Sequence, residues 1–360
     1  MEKTYRDLSF WHDSVPGSLQ PRPALSGDGT TDIAIIGAGY TGMWTAYYLK
    51  RANPGLDIML LEAEIAGFGA SGRNGGWCSG YFSGIDQWLE DPDHREAGIR
   101  LQKLMFDTVS EIDRVAERES IDCHYERSGA LEVAVIPAQL ARLREELEHV
   151  RDLGFGEDDY RWLPLGEIQD TLRIDHALAG IHMRHCAAIH PSRLARGLAE
   201  TLAGMGVRIF EKSPVTTLRE NTLTTPGGSI RADRVIVATE GYSDSIAGRK
   251  RRLIPVHSMM VVTEPLADSQ LDEINFHKRY CFGNIDRLVT YGQLTHDKRI
   301  AFGCRGTYHY GSGIRVFEPG DPGFGSVSET LLRFFPGLEG VRFTHRWGGA
   351  MGVSRTCLLY

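Results

Sequence analysis

The first clear signal in the hydrophobic pattern is a short apolar run with no polar alternation. Residues 32–36, DIAII, are β-branched and dense, as a strand buried on both faces must be. Three glycines follow, Gly37, Gly39 and Gly42. Residues 43–51 then repeat apolar groups at helical spacing until Asn53-Pro54-Gly55 stops them. Residues 58–61 form a second apolar strand, closed by Glu62. Together these predict one βαβ unit.

Further along, residues 96–118 carry Ile99, Leu101, Leu104, Met105, Val109, Ile112 and Val115 at helical spacing and predict an amphipathic helix. Residues 129–136 read as a strand and 137–153 as a second charged helix. Residues 191–205 read as a third helix, with Pro191 suited to its first turn. Several strands follow from 207, with a turn at Pro226-Gly227-Gly228 and a buried-strand run at 234–238. Residues 253–310 are mostly strand patterns. The first 30 or so residues, rich in Pro, Ser and Gly, read as an extended lead-in. A βαβ start with β-rich segments later predicts an α/β chain, α+β overall, in which a Rossmann-like domain carries an antiparallel-sheet domain.

Composition narrows the function. The 360 residues allow about two domains and a large core. The formal net charge of −7 lacks the basic surplus of a nucleic-acid binder. No apolar run nears the roughly 18 residues of a membrane span, and MEKTYRDLSF lacks a signal-peptide core. Six scattered cysteines with no CxxC pair argue against a disulfide framework. The expectation is a soluble cytoplasmic protein without nucleic-acid or membrane partners.

The candidate chemistry sits in two glycine-rich loops. Gly37-Ala38-Gly39-Tyr40-Thr41-Gly42 matches G-x-G-x-x-G between a strand and a helix. Such glycines make the tight turn, admit a pyrophosphate close to the backbone, and let helix and strand pack together. Glu62 lies 25 residues after Gly37, near the roughly 20 expected for an acid that holds the adenosine ribose. This unit alone does not separate NAD from FAD. A second loop, GFGASGRNGG at 67–76, follows Glu62 within five residues and adds one cation, Arg73.

GAGYTG followed by LLEAEIAGFGASGRNGG resembles the FAD-binding signature of the D-amino-acid-oxidase-like (DAO) superfamily, and within it the γ-glutamylputrescine-oxidase-like branch. AAIHPSRLARGLAETL, RVIVATEGY, VTEPL, RIAFGCRGTYHYG and HRWGGAMGV extend the likeness over nearly the whole chain. The resemblance implies bound FAD and oxidation of a C–N bond in a small amine or amino acid, with oxygen as electron acceptor; the residues themselves give no reason to expect a metal. It implies that Gly37, Gly39, Tyr40, Thr41 and Gly42 face the pyrophosphate and that Glu62 holds the ribose. Ala70, Ser71, Arg73, Asn74, Gly75 and Gly76 would pass close to phosphates and flavin. Val215 would meet the adenine, and Ala238 and Thr239 would line the cofactor. His257, Tyr291, Arg305, Tyr308 and Trp347 become substrate-pocket candidates, with no catalytic residue assigned. The implied division gives 1–90, 187–252 and 343–360 to the FAD-binding domain, and 91–186 and 253–342 to the substrate domain. The family's pattern runs on beyond WGG through a strand, a Gly-rich turn and a helix, and SRTCLLY does not follow it. The cofactor domain is therefore expected to be incomplete at its C-terminal side, and a catalytically inactive flavoprotein fragment stands as the alternative. An NAD-dependent dehydrogenase is the third reading. HMRHCAAIH gathers His182, His185, Cys186 and His190, zinc-type ligands without structural-zinc spacing, and is read as packing. The basic run Arg249-Lys250-Arg251-Arg252 is read as a solvated turn.

Overall fold

Two sheets organise the chain in a computed structural model that describes residues 4–82, 85–250, 252–285, 289–306 and 313–354. The first has six strands in the order Arg208–Phe210, Ile58–Leu61, Gly29–Ile36, Gly228–Val237, Thr222–Thr225, Thr217–Arg219. Its first four strands run parallel and the last two antiparallel. The run predicted from DIAII lies at its centre, with Ala34, Ile35 and Ile36 buried. Helices Tyr40–Ala52 and Pro191–Gly204 cover one face through Met43, Ala46, Leu194 and Leu198. Leu25, Val215, Leu223 and Ile230 cover the other. This is the Rossmann-like arrangement, with the first glycine turn at the C-terminal end of the central strand.

The second sheet has eight strands in the order Phe343–Ser354, Leu253–Thr263, Ile300–Arg305, Thr290–Leu294, Cys281–Asn284, Ala130–Ala134, Ala179–Met183, Tyr160–Pro164. It is antiparallel except where Cys281–Asn284 runs parallel to Ala130–Ala134. One face packs on the helix Gly323–Phe334 through Phe282, Phe302, Phe324 and Leu331. On the opposite face, Met260, Ala301 and Trp347 cluster with Phe10 and Trp11 at one end. Ala130, Ala134 and Ile181 cluster there with Leu143 and Leu147 of the helix Pro137–Asp152 at the other end.

Helices Arg95–Arg118, Pro137–Asp152 and Pro191–Gly204 fall within a residue or so of their expected ends. Two features differ from expectation. The lead-in is not simply extended: a turn at Tyr5–Leu8 and a short helix at Phe10–Asp13 bury Phe10, Trp11 and His12. Phe343–Ser354, grouped by the sequence with the cofactor domain, is the edge strand of the eight-stranded sheet, paired antiparallel with Leu253–Thr263. Its apolar residues gain a partner in Leu253–Thr263 that no local sequence pattern discloses. No described helix is long and apolar enough to cross a membrane.

Candidate functional site

The central strand delivers the chain into Gly37 at φ +103°, a backbone region that disfavours side chains. A Cβ there would lie 2.5 Å from the Ala238 carbonyl oxygen at the end of the neighbouring strand. At Gly42 a Cβ would overlap the Gly37 oxygen, so helix and turn approach this closely only without it. The Gly37 amide donates to Leu61 O at 2.8 Å, Ala38 to Glu62 Oε2 at 2.8 Å and Tyr40 to Ser71 Oγ at 2.9 Å. Among the described residues, no acceptor takes the amide protons of Gly39, Thr41 or Gly42. These amides open the 13-residue helix Tyr40–Ala52, whose dipole adds positive potential at the same point.

The second loop lies beside the first, with the Gly67 amide donating to Ala38 O at 3.0 Å. One 3-10 turn, Ala70–Gly72, shapes it. The five carbonyls from Gly72 to Gly76 are all claimed by the protein. Gly72 O accepts from Ser9 Oγ at 2.9 Å, Arg73 O from Trp347 Nε1 at 2.8 Å, and Asn74 O from Trp11 Nε1 at 2.8 Å. Gly75 O accepts from Gln293 Nε2 at 2.9 Å and Gly76 O from the Ile189 amide at 2.8 Å. The Asn74 side chain closes the loop on itself, donating to Ala70 O and accepting from the Gly76 amide. A Cβ at Gly75 would lie 2.6 Å from the Tyr291 ring, and one at Gly76 would overlap the Gln293 amide. Part of the glycine content thus serves packing of the loop onto the eight-stranded sheet. Ser9, Trp11 and Gln293, which do much of the clamping, went unrecognised in the sequence because they lie far from the loop along the chain.

Arg73 is the cation of this loop. Its Nε donates to Phe68 O at 2.9 Å and its guanidinium carbon sits 4.5 Å from the Phe68 ring centre. Among the described residues no carboxylate pairs with it, and burial pushes its pKa down. Glu62 accepts backbone protons from Ala38 and, at 3.0 Å, from Glu64. Burial pushes its pKa up, against the lowering by those two amides. The site therefore offers an uncompensated positive side at Arg73 and the free amides, and one acceptor carboxylate at Glu62.

Of the substrate-pocket candidates, three share the sheet face that meets the loop. Tyr291 lies under Gly75, its hydroxyl bonded to Ser258 Oγ, and burial raises its pKa to about 12. Trp347 pairs with Met260 and lies two residues before Gly349, where a Cβ would lie 3.4 Å from the Arg73 side chain. Arg305 pairs with Ser258, which also pairs with Gly349. His257 points to the opposite face: its Nε2 accepts from the Arg315 amide at 2.9 Å and its ring packs on Phe317. Tyr308 lies outside the described residues. Val215 is buried in the apolar layer under the six-stranded sheet, Ala238 donates to Ile36 O, and Thr239 bonds Ser243. The histidines of HMRHCAAIH are engaged separately. His182 bonds Ser128 O, His185 stacks on Phe106 and bonds Asp159, and His190 caps the helix Pro191–Gly204.

Comparison with known proteins places this chain in a family. The sequence profile described as DAO, FAD dependent oxidoreductase, matches residues 32–357. The chain belongs to the DAO family. It is 32% identical over 348 residues to gamma-glutamylputrescine oxidoreductase of Escherichia coli (strain K12), across 95% of this chain and 78% of that protein. Among solved structures, glycine oxidase from Geobacillus kaustophilus matches with a TM-score of 0.73 at 18% identity, over 92% of this chain and 85% of that one. Iminodiacetate oxidase from Chelativorans sp. BNC1 matches with a TM-score of 0.68 at 20% identity, over 90% and 84%. DAO membership makes FAD the cofactor and removes the NAD reading. The donor set fits that group: free amides at a helix start suit a pyrophosphate, Glu62 suits ribose hydroxyls, and the unpaired Arg73 suits an anionic or electron-rich partner.

Proposed function

We propose that this DAO-family protein oxidises the C–N bond of an aliphatic amine or amino acid, with a γ-glutamylputrescine-like amine as the leading substrate class. The relative that is 32% identical supports the amine. The observation that carries the reading is the clamped second loop, which presses Gly75 onto Tyr291 and sets Arg73 beside Gly349 on the face of the eight-stranded sheet. In this reading the six-stranded sheet and both glycine loops bind FAD, and that face of the eight-stranded sheet receives substrate.

Held by the two glycine loops, FAD would supply the redox chemistry, acting as acceptor for the hydride lost from the carbon beside the amine, with oxygen as the final oxidant and hydrogen peroxide as its product. The protein's part is positional. Gly39, Thr41 and Gly42 offer amide protons to the pyrophosphate, and Glu62 accepts from the ribose. Tyr291 supplies a flat, largely apolar wall for the alkyl chain, and Trp347, buried behind the loop, holds Arg73 in place through its bond to Arg73 O. Arg305, on the same face, is a cation suited to a substrate carboxylate. The imine product is hydrolysed by water to an aldehyde or keto acid plus ammonia or amine. Because the reacting nitrogen must give up its proton first, turnover rises with pH through the bound amine's pKa. Peroxide release from the FAD-loaded protein, measured across a panel of aliphatic amines and amino acids, tests the proposal. Amine-dependent peroxide with that pH dependence supports it. A flavin-loaded protein that releases none with any of them supports a catalytically inactive flavoprotein instead.

A further inference from the structure

The strand register carries the substrate face beyond Tyr291. Trp347 pairs with Met260, Met260 with Gly303, Gly303 with Tyr291, Tyr291 with Gly283, and Gly283 with Glu132. Residues paired across neighbouring strands point to the same side, so all six lie on one face. Gly283 has no side chain, and nothing in this row stands between the Tyr291 ring and the Glu132 side chain. Two strand spacings separate them, roughly 10 Å.

Glu132 is an unusual residue for this position. Its strand neighbours Ala130, Leu131, Val133 and Ala134 are all buried, as is its cross-strand partner Ile181, yet Glu132 itself is exposed. Solvent therefore reaches this carboxylate although the residues on either side of it in the strand are buried. The apolar cluster on that face, including Leu143, Leu147 and Tyr160, forms the surroundings. Among the described residues the carboxylate accepts no hydrogen bond and meets no cation. Arg142, on the helix packed against this face, directs its guanidinium to Ile285 O at 3.1 Å. The charged group that acts on Glu132 is another acid, Glu146; desolvation by the protein groups crowded around the carboxylate, followed by that repulsion, pushes its pKa up to about 7 even though one side stays open to solvent. A carboxylate with these surroundings gains from a cation and loses by standing alone.

We infer that Glu132 is a specificity-determining residue that binds a second, distal ammonium on the substrate, about two strand spacings from the reacting carbon. The inference rests on the amine-oxidation reading and narrows it to aliphatic amines that carry a second cationic nitrogen at the far end of a flexible spacer.

The test is equilibrium binding to the FAD-loaded protein without oxygen, by calorimetry, using 1,7-diaminoheptane and heptylamine. The two share chain length and differ in the distal charge. The wild type should bind the diamine at least about tenfold more tightly, the size of one charge-assisted hydrogen bond. Glu132→Gln, which keeps the shape and removes the charge, should erase that preference and leave heptylamine unchanged. Equal binding of the two amines by the wild type overturns the inference without any variant, and so does a preference that survives Glu132→Gln. Flavin absorbance recorded in the same samples keeps the two readings apart. A Glu132-dependent preference with flavin that stays oxidised upholds the cation site and contradicts amine oxidation.

Discussion

Replacing Glu211 with Gln should loosen the second glycine loop from behind. Glu211 is fully buried and accepts four protons: from the Arg22 amide at 2.6 Å, Arg22 Nη1 at 2.9 Å, Arg196 Nη1 at 3.0 Å and the Ala66 amide at 2.8 Å. One carboxylate thus ties the N-terminal segment, the helix Pro191–Gly204 and the residue just before Gly67. Gln keeps the shape but loses the charge and turns an N–H₂ toward one of the donors. The arginine side chains are only 15% and 14% exposed, so solvent does little to replace the lost partner. Removing one member of such a buried pair costs about 3–5 kcal/mol. Arg22 retains Glu200 at 2.6 Å, which favours the lower end, about 3 kcal/mol. At about 2 °C per kcal/mol for a chain this large, the melting midpoint should fall by about 6 °C. Urea unfolding gives the free energy, and FAD release from the folded variant should be faster, because the Ala66 anchor precedes the loop. A loss under about 1 kcal/mol would refute the reasoning, since it would place this carboxylate among ordinary surface pairs.

Other substitutions probe the remaining contacts. Gly75→Val places side-chain atoms against the Tyr291 ring, 2.6 Å from the Cβ position, so FAD retention after desalting should drop sharply while circular dichroism stays close to wild type. Trp347→Phe removes the donor to Arg73 O at 2.8 Å and leaves that carbonyl unpaired, a loss of about 1–3 kcal/mol by urea unfolding; an unchanged midpoint would show that the clamp contributes nothing. His190 and His12 have folded-state pKa values lowered from 6.5 to about 3, chiefly by burial. Between those values the unfolded chain binds protons that the folded one refuses, so stability falls as pH drops from about 6.5 toward 3, by up to about 1.4 kcal/mol per pH unit for each imidazole. His190→Asn should flatten that acid limb by one proton's slope, read from urea midpoints at several pH values, and an unaltered slope would contradict the assignment.

The elements most legible in the sequence are those built from local, periodic signals. The strand at 32–36, the helix opening at Tyr40 and the acid at Glu62 each carry their own pattern, and the three long helices repeat apolar groups over several turns. The glycine turn is legible for the same reason: φ +103° at Gly37 needs the residue that the motif supplies. What the sequence conceals depends on partners far along the chain. The helix Phe10–Asp13 is too short for a periodic signal, and it is held by Ser9 and Trp11 bonding carbonyls 63 residues away. The edge strand Phe343–Ser354 looks compatible with either sheet until its register with Leu253–Thr263 is seen. Strand parity decides the pocket candidates likewise: His257 and Ser258 are adjacent in sequence, yet one meets Phe317 and the other Tyr291. Glu132 attracts no notice in the sequence because only cross-strand pairing through Gly283 brings it into the row of Tyr291.

The most direct test of the account is flavin reduction in the FAD-loaded protein, followed by absorbance after an aliphatic amine is added without oxygen. The account predicts that the oxidised-flavin bands bleach in a single turnover, faster at higher pH, and return when oxygen is admitted. Protein that retains no FAD, or bound FAD that stays oxidised with every amine and amino acid supplied, would contradict it.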